Sequence, residues 1–182
     1  MFRIKSIEEI KKELFGANAQ VMNFPKAINF PFDELYKEIV TKIKTTEISS
    51  ECILYNSVYS ANMTKAYADE DYWSKNTVNA AEDAVRNYWF IGQNGQGDYW
   101  IMDINGKIYF YDHDNEEIDV EKIINLNIDF GKWLQYAYLN KELDEIYFGN
   151  KYNETIGEEY KKKLKEISKE LFENYPFDDI KP

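Results

Sequence analysis

One short segment of the sequence holds the side chains best suited to acid–base or metal chemistry. Asp112-His113-Asp114 places the single histidine between two carboxylates, a set that could bind a divalent cation or move a proton. Neighbouring residues of a strand point to opposite faces, however, and the acidic run that follows is typical of a solvated turn. We therefore predict no catalytic residue, no metal site and no cofactor.

A glycine-rich stretch, Gly92–Gly97, is a second candidate because glycine loops can hold phosphate. It lacks the Lys-Ser/Thr ending of a P-loop, and it leads into a strand where a phosphate site needs the N-terminus of a helix. Asp98, the next residue, would repel phosphate. The pattern indicates a tight connection between two strands.

Other catalytic patterns are missing from the sequence. With one histidine and no HExxH, CxxC or EF-hand spacing, it favours neither a Ser/His/Asp set nor a metal cluster. Cys52 is a single cysteine among apolar residues, so it closes no internal disulfide and we expect a buried, inert thiol. Paired carboxylates are abundant, which leaves a small carboxylate-dependent hydrolase as a less favoured alternative.

The acidic balance of the chain restricts its partners. The sequence has 33 acidic and 22 basic residues and a formal net charge of −11, which argues against nucleic-acid binding and against adhesion to an anionic membrane. Apolar runs are far shorter than the roughly 20 residues that span a bilayer, and the charged start, residues 1–15, shows no secretory signal. We expect a cytoplasmic protein with a basic partner.

Nearly all of this charge lies in the middle of the chain. Residues 45–120 hold 4 bases and 14 acids, a balance of −10. This surface either keeps the protein in solution or recognises a basic protein, with Tyr67 and Tyr72 as exposed anchors. The candidate partner-binding residues are Asp69, Glu70, Asp71, Asp112, Asp114, Glu116 and Glu117.

The elements that position these residues begin with two capped helices. Ser6 and Glu9 form a capping box for a helix over residues 6–15 that ends at Gly16, and Asp33 can cap a second helix. The β-branched and aromatic run over residues 51–59 predicts a strand. Residues 60–76 are predicted to form a loop.

The second half of the chain has a hairpin and two longer helices. Asn105-Gly106 between two apolar runs predicts a type I′ turn, which places Asp103 opposite Ile108 and Tyr99 opposite Asp112. Both faces of this hairpin are largely apolar, so we expect a sheet that is covered on each side. Further helices are predicted from residue 76 or 77, after a cap at residue 127 or 129, and over residues 155–175, with residues 118–126 ambiguous between strand and helical turn.

The segment Tyr88–Asp114 resembles the signature of the SUKH superfamily. That signature is a strand ending in Ile-Gly, a glycine turn with Gly-Asp, a hairpin strand, and a second strand that runs into Asp-His-Asp. Asn127–Leu134 is similar to the family's capped helix, whereas Pro31–Tyr36 departs from the family's usual upstream motif. The tail after Tyr147 is longer than the family's pattern.

The resemblance implies a fold and a kind of function. Most bacterial members of the superfamily are immunity proteins, which bind a cognate toxin, often a nuclease, and block it. Eukaryotic relatives include a regulator of yeast cell-wall glucan synthesis, which acts through protein contacts. The resemblance also implies structural roles for Trp89, Gly92, Gly97 and Asp98, with Asp98 accepting backbone N–H groups of its own loop. Asn105 and Gly106 are expected to have a structural role in the hairpin turn.

These observations predict one α+β domain over residues 1–182, with a core at about 33–147. A central, mostly antiparallel sheet with the Asn-Gly hairpin is flanked by N-terminal and C-terminal helices. The expected function is that of a non-enzymatic immunity protein that neutralises a cognate toxin through an acidic surface. The main alternative is a regulatory adaptor of the cell-wall-synthesis-regulator type.

Overall fold

In the described part of the chain, six strands form one antiparallel sheet in which every strand pairs with its neighbours in the sequence. A computed structural model describes residues 2–25, 28–75, 85–115 and 117–177. The strands are β1 (Thr46–Ser49), β2 (Cys52–Leu54), β3 (Tyr88–Gln93), β4 (Tyr99–Asp103), β5 (Ile108–Tyr111) and β6 (Ile124–Asn125). The described helices are α1 (Ile7–Asn18), α2 (Glu34–Val40), α3 (Ser57–Ala66), α4 (Phe130–Phe148), α5 (Glu154–Ile167) and α6 (Lys169–Glu173).

The prediction of an α+β fold is confirmed, because helices pack against an antiparallel sheet. The expectation that both faces of the sheet are covered is confirmed as well. Because side chains alternate along a strand, Trp89 and Trp100 pack on the face that carries α1, α2, α4, α5 and α6. Phe90 and Ile101 point to the opposite face, where they pack with Trp73 and Ile118 beside the end of α3. The sheet therefore lies between a large helical layer and a smaller second core.

The predicted caps of the helices before the sheet and of the long helix after it are confirmed. Ser6 and Glu9 form the capping box of α1, Asp33 accepts the backbone N–H of Tyr36 at the start of α2, and Asp129 caps α4. Helix α1 runs through Gly16 to Asn18. The prediction that Gly16 ends it was wrong, since an exposed glycine weakens a helix without terminating it.

The region after residue 45 differs most from the prediction. Strand β2 is short, and the chain enters α3 at Ser57, where a longer strand and then a loop were expected. The Asn56 side chain accepts the backbone N–H groups of Val58 and Tyr59, which caps the helix. This cap outweighs the β-propensity of the aromatic and β-branched residues around it.

The hairpin turn is wider than predicted. Tyr99 lies opposite Tyr111 and Met102 opposite Ile108, one residue away from the expected register. The Asp103 side chain accepts the backbone N–H groups of Asn105 and Lys107 at 2.9 and 2.8 Å, which holds a three-residue turn. Such a turn requires a positive φ only at Gly106, where φ is +74°.

The C-terminal helical region consists of two helices. Ser168 is extended, with φ −161° and ψ 133°, and it both ends α5 and caps α6. The single helix predicted over residues 155–175 was therefore wrong, because a serine that caps the next helix interrupts it. Within the ambiguous stretch 118–126, the chain forms the short strand β6. The helix predicted from residue 76 or 77 lies outside the described residues.

Candidate functional site

Three connections meet at one end of the antiparallel sheet, which we call the turn end. They are the β1–β2 turn at Ser50 and Glu51, the β3–β4 turn over residues 94–98, and the segment that follows β5, described at residues 112–115 and 117. The backbone N–H of Gly95 donates to the Ser50 carbonyl at 2.7 Å. The Asn94 side chain donates to the Glu51 carboxylate at 3.2 Å. The first two turns are therefore hydrogen-bonded to each other.

Asp98 joins the third connection to this group. Its carboxylate is buried, with 7% of the residue exposed, and Oδ1 accepts the backbone N–H of His113 at 3.1 Å and the Nδ1–H of its ring at 2.6 Å. The carboxylate was expected to accept N–H groups of its own loop. The backbone N–H groups of Gln96 and Asp98 instead donate to the Asn94 side chain. The Asp98 carboxylate can therefore link the β3–β4 turn to the segment after β5.

The same residues include three side chains of the kinds that bind metal ions. Asp98, Asp112 and His113 each offer one ligand atom, and these atoms lie within 4.8 Å of one another. Since an ionised carboxylate only accepts hydrogen bonds, Nδ1 of His113 carries the proton that it shares with Asp98. That nitrogen is therefore engaged in a hydrogen bond, and the geometry favours a structural link over a metal ligand set.

The link makes a prediction about pH. The hydrogen bond that the His113 ring donates to Asp98 raises the pKa of His113 above its ordinary 6.5, so the protonated form stabilises the fold. This stability is fully present below the unfolded pKa and is lost as pH rises through the higher folded value. Urea unfolding of the parent protein and of His113→Gln between pH 5 and 9 should show a difference that shrinks as pH rises. A difference that is constant with pH would contradict the assignment.

The two predicted acidic segments border the same second core. Asp69 and Asp71 are exposed, as are Asp112, Asp114 and Glu117. Ile118, directly after the second acidic segment, forms a parallel bridge to Trp73, which closely follows the first. This bridge joins the two segments to each other. Glu116 and the side chain of Glu70 lie outside the described part of the chain.

The tyrosines near these carboxylates are unequally accessible. Tyr67 stacks on Phe90, with ring centroids 4.7 Å apart, and donates its hydroxyl to Tyr99. It is therefore half-buried, and the expectation of an exposed anchor at this residue was wrong. Tyr72, with 49% of its surface exposed, is accessible as predicted. The sheet face beneath α3 takes up the Tyr67 ring because that ring is apolar apart from its hydroxyl.

An exposed aromatic cluster that the sequence patterns did not single out lies where α4 ends. Tyr147 and Tyr152 stack with centroids 4.4 Å apart, and Phe148, the residue after Tyr147 at the end of α4, is 85% exposed. The signal available in the sequence is the pair Tyr147-Phe148 directly before Gly149 at the end of a helical pattern. We call these three residues the aromatic cluster.

No helix in the described parts of the chain combines the length and apolar composition that a membrane crossing needs. Searches of the curated proteins and of the solved structures found no match. A model of the SMI1 / KNR4 family (SUKH-1) matches residues 17–136, about two-thirds of the chain. The matched part contains the whole sheet and all three connections of the turn end, whereas the aromatic cluster follows it. From the extent of this match, the chain belongs to the SMI1 / KNR4 family (SUKH-1).

Proposed function

We propose that this protein is a cytoplasmic immunity protein that binds a cognate bacterial toxin and blocks it without catalysis. Family membership supports a role in protein interaction. The observation that carries the proposal is the exposure of Asp69 and Asp71 in one acidic segment and of Asp112, Asp114 and Glu117 in the other, beside one core that joins the two segments. The second core borders both segments and holds their charges in a fixed arrangement, which a specific interface requires.

A nuclease is the toxin class that this surface fits best. A nuclease needs a basic groove to bind the phosphates of its substrate. A protein with a net charge of −11 that places exposed carboxylates on one surface competes with those phosphates. Electrostatic attraction also speeds association, so the inhibitor reaches the toxin before much substrate is cut.

The hydrolase alternative gains no support from the two carboxylates that line the cleft beside the β1–β2 turn. Glu51 and Asp144 line one cleft of about 110 Å³. Both Asp144 oxygens accept hydrogen bonds from Ser50, at 2.7 and 2.9 Å, and Glu51 accepts one from Asn94. Side chains engaged in this way position turns, whereas a glycosidase pair needs one carboxyl that can give its proton to the leaving group and a cleft that admits the substrate.

The proposal is tested by expressing the neighbouring upstream gene in a host, with and without this protein. We expect growth arrest by that product alone, rescue on co-expression, and co-purification of the two proteins. A neighbouring product that is harmless, or one that is toxic but neither rescued nor bound, would contradict the proposed function.

Charge reversal at three exposed carboxylates should weaken the complex. Asp71→Lys, Asp114→Lys and Glu117→Lys leave Asp69 and Asp112 in place, whose side chains accept backbone N–H groups within their own turns. We expect the triple variant to bind the toxin at least about tenfold more weakly, with a shallower dependence on salt. Titration calorimetry at two salt concentrations measures both.

The matched control reverses three exposed carboxylates on helices: Glu8→Lys, Glu34→Lys and Glu158→Lys. These side chains are 67 to 90% exposed, and their ion pairs with lysines on the same helix contribute little to stability. The control changes the net charge by the same amount. If both triple variants lose affinity equally, net charge and not the acidic segments governs binding.

A further inference from the structure

The aromatic cluster is the most exposed group of large apolar side chains that the described residues place together. Phe148 is 85% exposed, Tyr147 41% and Tyr152 38%. The other large apolar side chains with comparable exposure, such as Val21 and Ile104, lie elsewhere on the surface. Exposed aromatic residues that cluster in this way are typical of the centres of protein interfaces.

The cluster is continuous with the turn end. Asp144, one turn of α4 before Phe148, accepts the backbone N–H and the hydroxyl of Ser50 in the β1–β2 turn. Tyr147 lines the same cleft as Ser50 and Glu51. Through Asn94 and Asp98, hydrogen bonds continue from Glu51 to His113 in the third connection. One end of the sheet therefore carries both the acidic connections and the aromatic cluster.

The rim of this surface is strongly acidic. In the described parts of the three connections and of the α4–α5 junction, Lys151 is the one lysine or arginine. The carboxylates of the three connections that are at least partly exposed are Glu51, Asp112, Asp114 and Glu117, and two more, Asp144 and Glu145, lie in the last turns of α4. Exposed aromatic rings next to carboxylates attract arginine and lysine in two ways: the ring face makes cation–π contacts, and the carboxylates make ion pairs.

We propose that the cognate toxin binds across the turn end, with the aromatic cluster as its apolar anchor and the acidic connections as its charged rim. This inference rests on the proposed function and names the surface it uses. The occupant is a lysine- and arginine-rich protein surface with a pocket for the Phe148 ring. An aromatic anchor supplies affinity that salt does not screen, whereas the rim supplies attraction and orientation.

The test uses the full-length protein and the inactivated product of the neighbouring upstream gene as the probe. Phe148→Ala should weaken binding about 30-fold or more, mainly through faster dissociation, and Tyr152→Ala should weaken it less. Ile104→Ala is the matched control, because Ile104 is 42% exposed in the hairpin turn at the opposite end of the sheet. We expect its affinity to stay within about threefold of the parent protein. We expect all three variants to fold as the parent protein does, because the side chains that they shorten are exposed.

Hydrogen exchange of the complex gives a second measurement that depends on no variant. We expect the amides of residues 145–153 to gain protection on binding, while those of residues 104–107 keep their rates. A complex that forms normally with Phe148→Ala, or that leaves residues 145–153 unprotected, overturns this inference and leaves the proposed function intact. No binding by the parent protein overturns the proposed function itself, and this inference with it.

Discussion

Gly92→Ala will destabilise the protein by at least about 3 kcal/mol and will prevent folding if the sheet cannot shift. A Cβ atom at this position would lie 2.4 Å from the carbonyl oxygen of Ile53 and 3.6 Å from the Cα of Leu54. Both are backbone atoms of β2, so no side-chain rotation relieves the overlap. Strands β2 and β3 would have to separate, and overpacking of a rigid contact is among the few mechanisms that give losses this large.

Gly16→Ala is the control for this prediction. Nothing lies within 4 Å of a Cβ atom at Gly16, and the residue belongs to α1. Alanine in an exposed helical position is more stable than glycine by up to about 1 kcal/mol. Urea unfolding of the two variants should therefore show opposite changes in the free energy of unfolding. Equal or reversed effects would show that the β2–β3 approach is not tight.

The second large effect is expected from Tyr36→Phe, because this hydroxyl lies in a buried chain of hydrogen bonds that links α2 and α3 to β3. Ser60 donates to the carbonyl of Phe90, so the Tyr36 hydroxyl donates to Ser60 at 3.0 Å and accepts the indole N–H of Trp89 at 2.8 Å. Burial raises the pKa of Tyr36, which keeps the phenol protonated and able to donate.

Removing this one oxygen leaves the indole N–H of Trp89 without its partner in a buried site, and Ser60 loses a donor. An unsatisfied buried polar group costs about 1–3 kcal/mol, so we expect a loss of about 2–3 kcal/mol in the free energy of unfolding. Tyr59→Phe is the control, since Tyr59 is 44% exposed and water can satisfy its neighbours. Equal losses in the two variants would contradict the chain of hydrogen bonds.

The features predicted correctly from sequence depend on residues close together in the chain. The capping box of Ser6 and Glu9 involves atoms three residues apart, and the Asp33 cap has the same spacing. Such contacts form inside one turn of helix, so residue types and spacing are sufficient to predict them. The apolar faces of the hairpin were predictable for a similar reason, because the alternation of a strand is local.

The errors arose where a side chain competed with a backbone pattern. Asp103 bonds two N–H groups of the hairpin turn and selects a three-residue turn over the two-residue turn that Asn-Gly favours. Asn56 and Ser168 similarly start helices within stretches whose propensity indicated a strand or an unbroken helix. Local propensity is a weak preference, and one satisfied set of hydrogen bonds outweighs it.

The amino-acid sequence by itself determined the fold class, the acidic character and the identity of the glycine-turn motif, because composition and short-range patterns carry them. Only the tertiary structure decided which charged and aromatic residues share a surface. Ser50 and Asp144 meet across 94 positions of the chain, and His113 meets Asp98 across the whole β4–β5 hairpin. Contacts of this kind depend on how the sheet orders its strands and where α4 ends against it. The turn end and its aromatic cluster therefore form a surface only once the chain has folded.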